Sequence, residues 1–381
     1  MIDVANRLKH VEEYYFSKKL REVAFLKSQG KPIINLGIGS PDLEPPLKAI
    51  MALEESLNHQ GVHKYQSYQG IPELREAMAQ FYREQYNVHL SAKTEILPLM
   101  GSKEGIMHIS MAFLNPGDQV LVPNPGYPTY SSVARLLEAE PIYYDLKEEL
   151  NWEPDFIALE RMDLSKVKIM WLSYPHMPTG AKGTHKLYDD VIAFAKRHDI
   201  LVVHDNPYSF ILNDSPKSIF KYRDAKDVCL ELNSISKTFN MAGWRVGMVV
   251  GNYDFITSVL KVKSNMDSGM FYGIQKGAVE ALKCSEMWYV SLNNVYQQRR
   301  QLVWQLAEAL NCTYDEDQSG LFVWAKLPPL MNSEEFTDLV LKEHSIFIAP
   351  GTVFGSQGEG YVRFSLCAED DDIREAIARV K

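Results

Sequence analysis

Residues 234–247 of this 381-residue chain read SISKTFNMAGWRVG and place one lysine among hydroxyl groups and an arginine. The amine of Lys237 is able to form a Schiff base with an aldehyde. Ser234, Ser236 and Arg245 supply hydrogen-bond donors for phosphate oxygens. The grouping therefore suits an aldehyde cofactor that also carries a phosphate. The alternative is a surface lysine that follows a strand, which is the better interpretation of an arbitrary S-x-S-K sequence.

The composition indicates a globular protein and limits its partners. The chain is 46% hydrophobic and 11% aromatic, which is enough for a sizeable core, and its formal net charge is -9. It has no basic run and no helix-turn-helix pattern, so we expect no nucleic-acid partner. Its apolar stretches are shorter than the ~20 residues that a membrane span requires, so we expect no membrane partner.

The cysteines and the N-terminal residues indicate a reducing compartment. The four cysteines are far apart and form no C-x-x-C pair, which favours packed or free thiols over disulfides or zinc ligands. The N-terminal residues lack the apolar core of a signal peptide. His204 and Asp205 are adjacent but have no companions at metal-ligand spacing. We therefore expect a cytoplasmic protein without a metal site.

The middle of the chain alternates short apolar strands with helices. This pattern is typical of an α/β fold with a largely parallel sheet and helices on both faces. Only a short segment separates the lysine turn from the last strand, so we expect that strand to run antiparallel. The predicted strands are 95–99, 119–123, 141–145, 167–173, 200–204, 228–233 and 246–251, and the predicted helices are 71–86, 103–114, 130–138 and 186–198.

The pattern changes at about residue 275, where helices and strands mix without regular alternation. This layout indicates a second, smaller α+β domain, and helical spacing at residues 10–29 adds an N-terminal helix. The predicted elements of the smaller domain are a helix at 286–310, a strand at 321–327, a helix at 333–344, and strands at 346–349 and 361–367. The predicted division is an N-terminal arm with part of the small domain (1–45), a large cofactor-binding domain (46–274) and a C-terminal small domain (275–381).

Two further motifs follow predicted strands. Strand 95–99 enters the sequence GSKEG at 101–105, where the amides of Ser102 and Lys103 at a helix start suit a phosphate. An ordinary strand–helix turn is the alternative, and the Lys103 side chain is expected to face solvent. Strand 200–204 ends at Asp205, and the family resemblance given next implies that this carboxylate keeps a pyridine nitrogen of the cofactor protonated, because opposite charges favour both ionised forms. A capping aspartate is the structural alternative.

Taken in order, these motifs resemble those of the class I/II aminotransferases, which use pyridoxal 5′-phosphate and have fold type I. The resemblance spans about residues 33 to 366 and is carried first by the stretch around Lys237. It implies a large domain with a mostly parallel seven-stranded sheet flanked by helices, plus a smaller α+β domain. The stretch at 265–271, NMDSGMF, is similar to alanine-type and diaminopimelate-type members and lacks the arginine of dicarboxylate-specific relatives.

The resemblance also assigns roles to single residues. Tyr127, in PNPGYPTY, stacks on the cofactor ring, and Tyr208 donates to the phenolic oxygen of the ring; packed core tyrosines are the alternative. Arg363, in YVRFS, grips the substrate α-carboxylate with two bonds, and Gly39 lies beside it. Tyr65 is similar to the tyrosine that reaches the phosphate of the neighbouring subunit. A homodimer with shared active sites is therefore implied. The family's proline at position 125 is often cis.

One position departs from the family pattern. Residues 173–180 read SYPHMPTG, and Met177 stands where relatives carry an asparagine that donates to the phenolic oxygen of the cofactor. A thioether has no hydrogen to donate. Our hypothesis is that Tyr208 is left as the main donor to that oxygen.

The expected activity is transfer of an amino group from an L-amino acid to a 2-oxo acid, 2-oxoglutarate or pyruvate. The freed Lys237 would move a proton between the substrate Cα and the cofactor as general base and acid. Two alternatives remain: a carbon–sulfur lyase or aminocyclopropane-carboxylate-synthase-like eliminase on the same fold, and a ligand-sensing regulator without enzyme activity. The donor is left open, because the aromatic residues 14–16 either line the pocket or form the buried face of a helix.

Overall fold

The structure is a computed structural model that describes residues 2–381. Its strands are β1 (Ile34–Asn35), β2 (Ile96–Leu99), β3 (Gln119–Asn124), β4 (Glu140–Asp145), β5 (Val167–Leu172), β6 (Leu201–Asp205), β7 (Cys229–Ser234), β8 (Gly247–Gly251), β9 (Thr313–Tyr314), β10 (Phe322–Lys326), β11 (Ile346–Phe347), β12 (Ala349–Pro350) and β13 (Tyr361–Ser365). The α-helices are α1 (Tyr15–Ser28), α2 (Leu47–Ser56), α3 (Pro72–Tyr86), α4 (Ser102–Phe113), α5 (Thr129–Leu136), α6 (Phe156–Leu159), α7 (His185–His198), α8 (Ala225–Val228), α9 (Ile235–Thr238), α10 (Tyr253–Lys263), α11 (Tyr272–Leu282), α12 (Glu286–Ala309), α13 (Ser333–His344) and α14 (Asp370–Val380).

The larger sheet has seven strands in the order β2-β8-β7-β6-β5-β3-β4. Parallel pairing joins β4, β3, β5, β6 and β7, whereas β8 runs antiparallel to both of its neighbours, β7 and β2. The prediction of a mostly parallel seven-stranded sheet with an antiparallel last strand is confirmed. The Asn124–Pro125 peptide bond is cis, as predicted.

Both faces of this sheet are covered by helices, which explains the nearly continuous apolar strands. In β5, Ile169 and Trp171 pack with residues of α4, α5 and α10 on one face. Met170 and Leu172 point to the opposite face and pack with residues of α7. Helices α3 and α11 cover the second face where β2 and β8 lie. Alternate side chains of one strand therefore serve two separate layers of core.

The smaller sheet is antiparallel, in the order β12-β13-β10-β9. Its core is shared with helices α12, α13 and α14 and with Phe16 and Val23 of α1. Strand β1 pairs in parallel with β11, which ties the N-terminal residues to the C-terminal part of the chain. Helix α11 runs across the predicted boundary at 274/275 and packs against α2 and α3. The division into domains stays a prediction.

The predicted N-terminal helix at 10–29 differs from the structure. A 3₁₀-helix covers Asn6–His10, and α1 begins only at Tyr15, because Tyr14 is extended (ψ 125°) and its ring lines an internal cavity. Helices α2, α10 and α11 were not predicted. For α10 a signal was present, since the Asn252 side chain accepts from the Phe255 amide as an N-cap. Within residues 2–381, no helix combines the length and apolar character needed to cross a membrane.

The core predicts a contrast between two leucine-to-alanine substitutions. Leu230 of β7 is fully buried, whereas Leu339 of α13 is 48% exposed. We expect Leu230→Ala to lower the free energy of unfolding by about 2–5 kcal/mol, because it leaves a cavity between β7 and its covering helices. Leu339→Ala should change it by no more than about 0.5 kcal/mol. Urea denaturation of both variants measures this, and equal losses would contradict the packing described.

Candidate active site

A cavity of about 640 Å³ lies at the carboxyl edge of the larger sheet, where β5, β6 and β7 end. Parallel α/β sheets bind ligands at this edge. The cavity gathers twelve of the thirteen predicted site residues, and Tyr65 lies elsewhere. The twelve are Gly39, Ser102, Lys103, Tyr127, Met177, Asp205, Tyr208, Ser234, Ser236, Lys237, Arg245 and Arg363.

Lys237 lies in the short helix α9, which begins where β7 ends. The Ser234 side chain caps this helix by accepting from the Ser236 amide at 3.1 Å. The Nζ atom of Lys237 donates to the Gly39 carbonyl oxygen at 2.6 Å. Burial lowers the pKa of Lys237, and the positive charges of Arg363 and Arg245 lower it further. A lowered pKa favours the neutral amine, which is the nucleophilic form.

Asp205 is buried at the end of β6, and one of its oxygens is held by a tyrosine. The Tyr130 hydroxyl donates to Oδ2 at 2.7 Å, whereas Oδ1 is buried without a partner. Burial raises the pKa of Asp205 to about 6, an effect that the Tyr130 bond and the charge of His204 oppose. Tyr130 was not among the predicted site residues. Its position three residues after Tyr127 was the one available signal.

The anion-binding end of the cavity is formed by a glycine, a helix start and an arginine. Helix α4 begins at Ser102, directly after Gly101, which has φ +89°. A Cβ atom on Gly101 would lie 2.2 Å from Nη2 of Arg245, so a glycine is required for this close approach. Arg245 is fixed by a 2.9 Å bond from Nη1 to the Ala242 carbonyl oxygen. These donors together suit a phosphate group.

Arg363 also lines the cavity, where it is buried among three aromatic rings. Its guanidinium carbon lies 3.8 Å from the ring centre of Phe322, 4.5 Å from that of Phe354 and 5.3 Å from that of Phe16. Nη2 donates to the Gly37 carbonyl oxygen at 2.8 Å, and Nε has no partner. Burial lowers the pKa of Arg363 to about 10, which leaves it charged at neutral pH. The phenylalanines were not predicted as site residues.

Met177 contacts Arg363. Its Sδ atom accepts from Nη1 of Arg363 at 3.3 Å. Tyr208 lines the cavity and meets Phe322 edge-on, with ring centres 5.9 Å apart. Burial raises the pKa of Tyr208, so its hydroxyl keeps the hydrogen that it can donate.

The remaining predicted residues lie at the rim or outside the cavity. Tyr127 meets Tyr130 edge-on at 5.5 Å, and the exposed Lys103 ammonium lies 4.5 Å from the ring centre of Tyr14. Tyr65 is 89% exposed and lines a separate surface hollow with Phe271. Tyr65 therefore does not reach the cavity of its own chain.

The residues present fit pyridoxal 5′-phosphate. Lys237 offers a buried amine of lowered pKa for the aldehyde, and Oδ1 of Asp205 is free to meet the ring nitrogen. Ser102 and Arg245 lie at the end that suits the phosphate. The same cavity thus contains a partner for each reactive group of the cofactor.

Outside the cavity, one cluster has the residue types of a metal site. Ligand atoms of Glu104, His108 and Asp267 lie within 4.8 Å of one another. The Lys263 ammonium already pairs with Asp267 at 2.8 Å, which disfavours a cation there. We retain the expectation that the protein needs no metal.

Comparison with known proteins gives concordant results. The model of the aminotransferase class I and II family matches residues 31–380. The LL-diaminopimelate aminotransferase of Maridesulfovibrio salexigens is 39% identical over 380 residues, which cover 99% of this chain and 98% of that protein. The LL-diaminopimelate aminotransferase of Aquifex aeolicus is 37% identical over 383 residues, with 100% and 99% covered.

Solved structures are also similar to this chain over nearly its whole length. Substrate-bound BacF from Bacillus subtilis superposes with a TM-score of 0.95 at 35% identity, covering 100% of this chain and 97% of that chain. The aromatic aminotransferase of Pyrococcus horikoshii has a TM-score of 0.88 at 29% identity, covering 98% and 96%. Both likenesses extend over nearly the whole chain.

The close approach of Gly101 to Arg245 yields a testable contrast. Gly101→Ala should weaken pyridoxal-phosphate binding at least about tenfold, because the new methyl group displaces a phosphate donor. Gly117→Ala is the matched control, since Gly117 has φ +87° and open space around it. Each variant should lose about 1–2 kcal/mol of stability from the left-handed backbone. Equilibrium dialysis and thermal unfolding measure the two effects, and unchanged cofactor affinity in Gly101→Ala would contradict the assignment.

Proposed function

The chain belongs to the class I and II aminotransferases, and we propose that its amino donor is an L-amino acid with a large apolar or aromatic side chain. Pyridoxal 5′-phosphate is the cofactor of this family, and a 2-oxo acid, 2-oxoglutarate or pyruvate, is the proposed acceptor. The observation that carries the proposal is the aromatic wall around Arg363. The cavity residues on this wall and next to it are Tyr14, Phe16, Ile38, Tyr208, Phe322 and Phe354.

The roles of the residues follow from their positions. When bound, the cofactor supplies an electron sink for charge that develops at the substrate Cα. Arg363 binds the α-carboxylate and thereby orients the Cα–H bond. Lys237 takes that proton as a base and returns it as an acid, and its lowered pKa favours the neutral amine that the first of these steps needs. Asp205 holds the ring nitrogen, and Ser102 and Arg245 hold the phosphate.

Charge disfavours a donor with a distal ammonium group. Among the residues of 2–381 that line the cavity, Asp205 is the one carboxylate, and its place is beside the ring nitrogen. A distal ammonium group would therefore meet aromatic rings and cations without a carboxylate from this chain. An apolar side chain loses nothing on entering such surroundings and gains from burial.

Diaminopimelate is a second candidate donor, because the full-length relatives of 37–39% identity are named LL-diaminopimelate aminotransferases. The exposed ammonium of Lys103 at the cavity mouth is available to a distal carboxylate. The distal carboxylate of diaminopimelate would thus find a partner in this chain, whereas its distal ammonium group would not.

We also propose a homodimer with shared active sites in the cytoplasm. Exposed large residues flank the surface hollow of Tyr65, which is itself 89% exposed although aromatic. In a dimer this ring would reach the phosphate site of the partner.

The donor class is testable without an acceptor. The holoenzyme is mixed anaerobically with single amino acids. We expect phenylalanine or tyrosine to convert its cofactor to the aminated form at least about tenfold faster than LL-diaminopimelate or aspartate does. The reason is that even one missing methylene group in an apolar pocket costs about 1–3 kcal/mol. Absorbance spectra follow the conversion. Faster conversion by LL-diaminopimelate would reject the aromatic donor, and accumulation of pyruvate or ammonia without the aminated form would indicate the eliminase alternative.

The role of Lys237 predicts a large loss on substitution. Lys237→Ala should lower kcat by at least about a thousandfold, since one amine both binds the cofactor and moves the proton. Lys166→Ala, at an exposed lysine outside the cavity, is the matched control and should retain kcat. Single-turnover kinetics with a saturating donor measures both, and near-normal turnover of Lys237→Ala would overturn the assignment.

A further inference from the structure

A buried histidine directly before Asp205 has no role in the site described so far. His204 is fully buried in β6, and both of its ring nitrogens face oxygen atoms. Nδ1 lies 2.9 Å from Oε2 of Glu231, and Nε2 lies 3.0 Å from the carbonyl oxygen of Tyr174. Glu231 is likewise fully buried, and it is the neighbour of His204 in the parallel pairing of β6 with β7.

The hydrogen-bond partners place one ring hydrogen of His204 and leave a second one between His204 and Glu231. A carbonyl oxygen only accepts, so Nε2 of His204 carries a hydrogen. Both oxygens of Glu231 already accept, Oε1 from the Tyr82 hydroxyl at 2.7 Å and Oε2 from the Ile219 amide at 2.9 Å. One hydrogen between Nδ1 and Oε2 completes the contact. An imidazolium at His204 with a carboxylate at Glu231 satisfies every one of these partners, and the proposal below takes the pair in this ionised form.

The pair lies where three segments with predicted cofactor-binding residues come together. His204 immediately precedes Asp205, and Tyr174 lies three residues before Met177 in the segment after β5. Glu231 lies three residues before Ser234 in β7. The Tyr188 ring from α7 packs edge-on against the imidazole, with ring centres 5.5 Å apart. One imidazolium thereby links the ends of β5, β6 and β7.

We propose that His204 and Glu231 are positioning residues that hold Asp205 ionised and in place for the ring nitrogen of the cofactor. The inference rests on the proposed function in one respect, namely that Asp205 pairs with that nitrogen. The positive imidazolium, one residue away, favours the Asp205 carboxylate over the neutral acid that burial alone would favour. Glu231 supplies the buried counter-charge for the imidazolium, with Oε2 2.9 Å from Nδ1.

The groups around Asp205 bear on any pH dependence. Tyr130 from α5 donates to Oδ2, Tyr208 and Lys237 line the same cavity, and His204 is the adjacent cation. Burial raises the pKa of Asp205 to about 6, and the charge of His204 opposes this rise. Loss of the imidazolium charge would therefore raise this pKa further. As the pH is lowered, Asp205 would then become protonated at a higher pH than in the wild type. The cofactor would accordingly begin to be released at that higher pH.

The test compares Glu231→Gln with Tyr82→Phe. The first removes the counter-charge with almost no change in shape, and the second removes a hydrogen bond to Glu231 but leaves both charges. Holoenzymes are dialysed between about pH 5 and 9, and the retained cofactor is measured by absorbance after denaturation. We expect the pH of half-retention to rise by about half a unit to one unit in Glu231→Gln and to stay unchanged in Tyr82→Phe.

A purely structural role for the pair predicts a different result. Both variants would then lose thermal stability while the pH of half-retention stayed at the wild-type value, and this outcome would overturn the inference. Asp205→Ala separates the inference from its premise. If Asp205→Ala retains cofactor as the wild type does, the role of Asp205 fails and the inference with it. If Asp205→Ala releases cofactor but Glu231→Gln shows no shift, only the inference about the pair fails.

A measurement on the unaltered holoenzyme covers the case in which Glu231→Gln does not fold. Nitrogen-15 spectra of histidine-labelled protein distinguish imidazolium from neutral imidazole. At about pH 8 an ordinary exposed histidine has lost its second proton. We expect one histidine to show a hydrogen on each ring nitrogen, because both nitrogens of His204 face buried oxygen atoms. Absence of such a signal would contradict the proton assignment and overturn the proposal.

Discussion

Desolvation of three ionisable groups in one cavity is the constraint on which the site depends. Burial raises the pKa of Asp205 to about 6, lowers that of Lys237 and lowers that of Arg363 to about 10. Each shift favours the neutral form, so the surrounding structure has to supply partners wherever a charge is needed. Oδ1 of Asp205 and Nε of Arg363 have no hydrogen-bond partner among residues 2–381. A ring nitrogen and a carboxylate are the groups that would complete them.

The fold brings these groups together through the directions of its strands. The ends of β5, β6 and β7 meet at one edge of the large sheet, while Arg363 comes from β13 of the small antiparallel sheet. Trp324 of β10 lies opposite Arg363 in the register, and Phe322 is two residues along on the same face. The contact of Phe322 with the guanidinium is therefore a consequence of strand pairing.

Local patterns allowed much of this arrangement to be predicted, and long-range placement explains the rest. Apolar runs gave the seven strands, and the motifs around Lys237 and Asp205 indicated which strand ends carry chemistry. The bond from Tyr130 to Asp205 joins residues 75 positions apart, and no periodicity reveals it. The same holds for the rings around Arg363 and for the pairing of His204 with Glu231. The late start of α1 has a similar cause, because the Tyr14 ring turns into a cavity built by distant segments.

Met177 shows how one position serves two neighbours. Its sulfur is a weak acceptor for Nη1 of Arg363, where a carboxamide oxygen would hold the guanidinium more strongly. Nη1 of Arg363 therefore gives up only a weak hydrogen bond when it turns to a substrate carboxylate, and this favours binding of the amino-acid substrate. The cost falls on the cofactor side, because a thioether cannot donate to the phenolic oxygen of the ring. Our hypothesis leaves that donation to Tyr208, and burial raises the pKa of Tyr208, so its hydroxyl keeps the hydrogen that such a bond requires. Relative to a carboxamide, Met177 thus offers less hydrogen-bonding capacity to both neighbours, and the aromatic packing of Arg363 compensates for the weaker polar contact on its side.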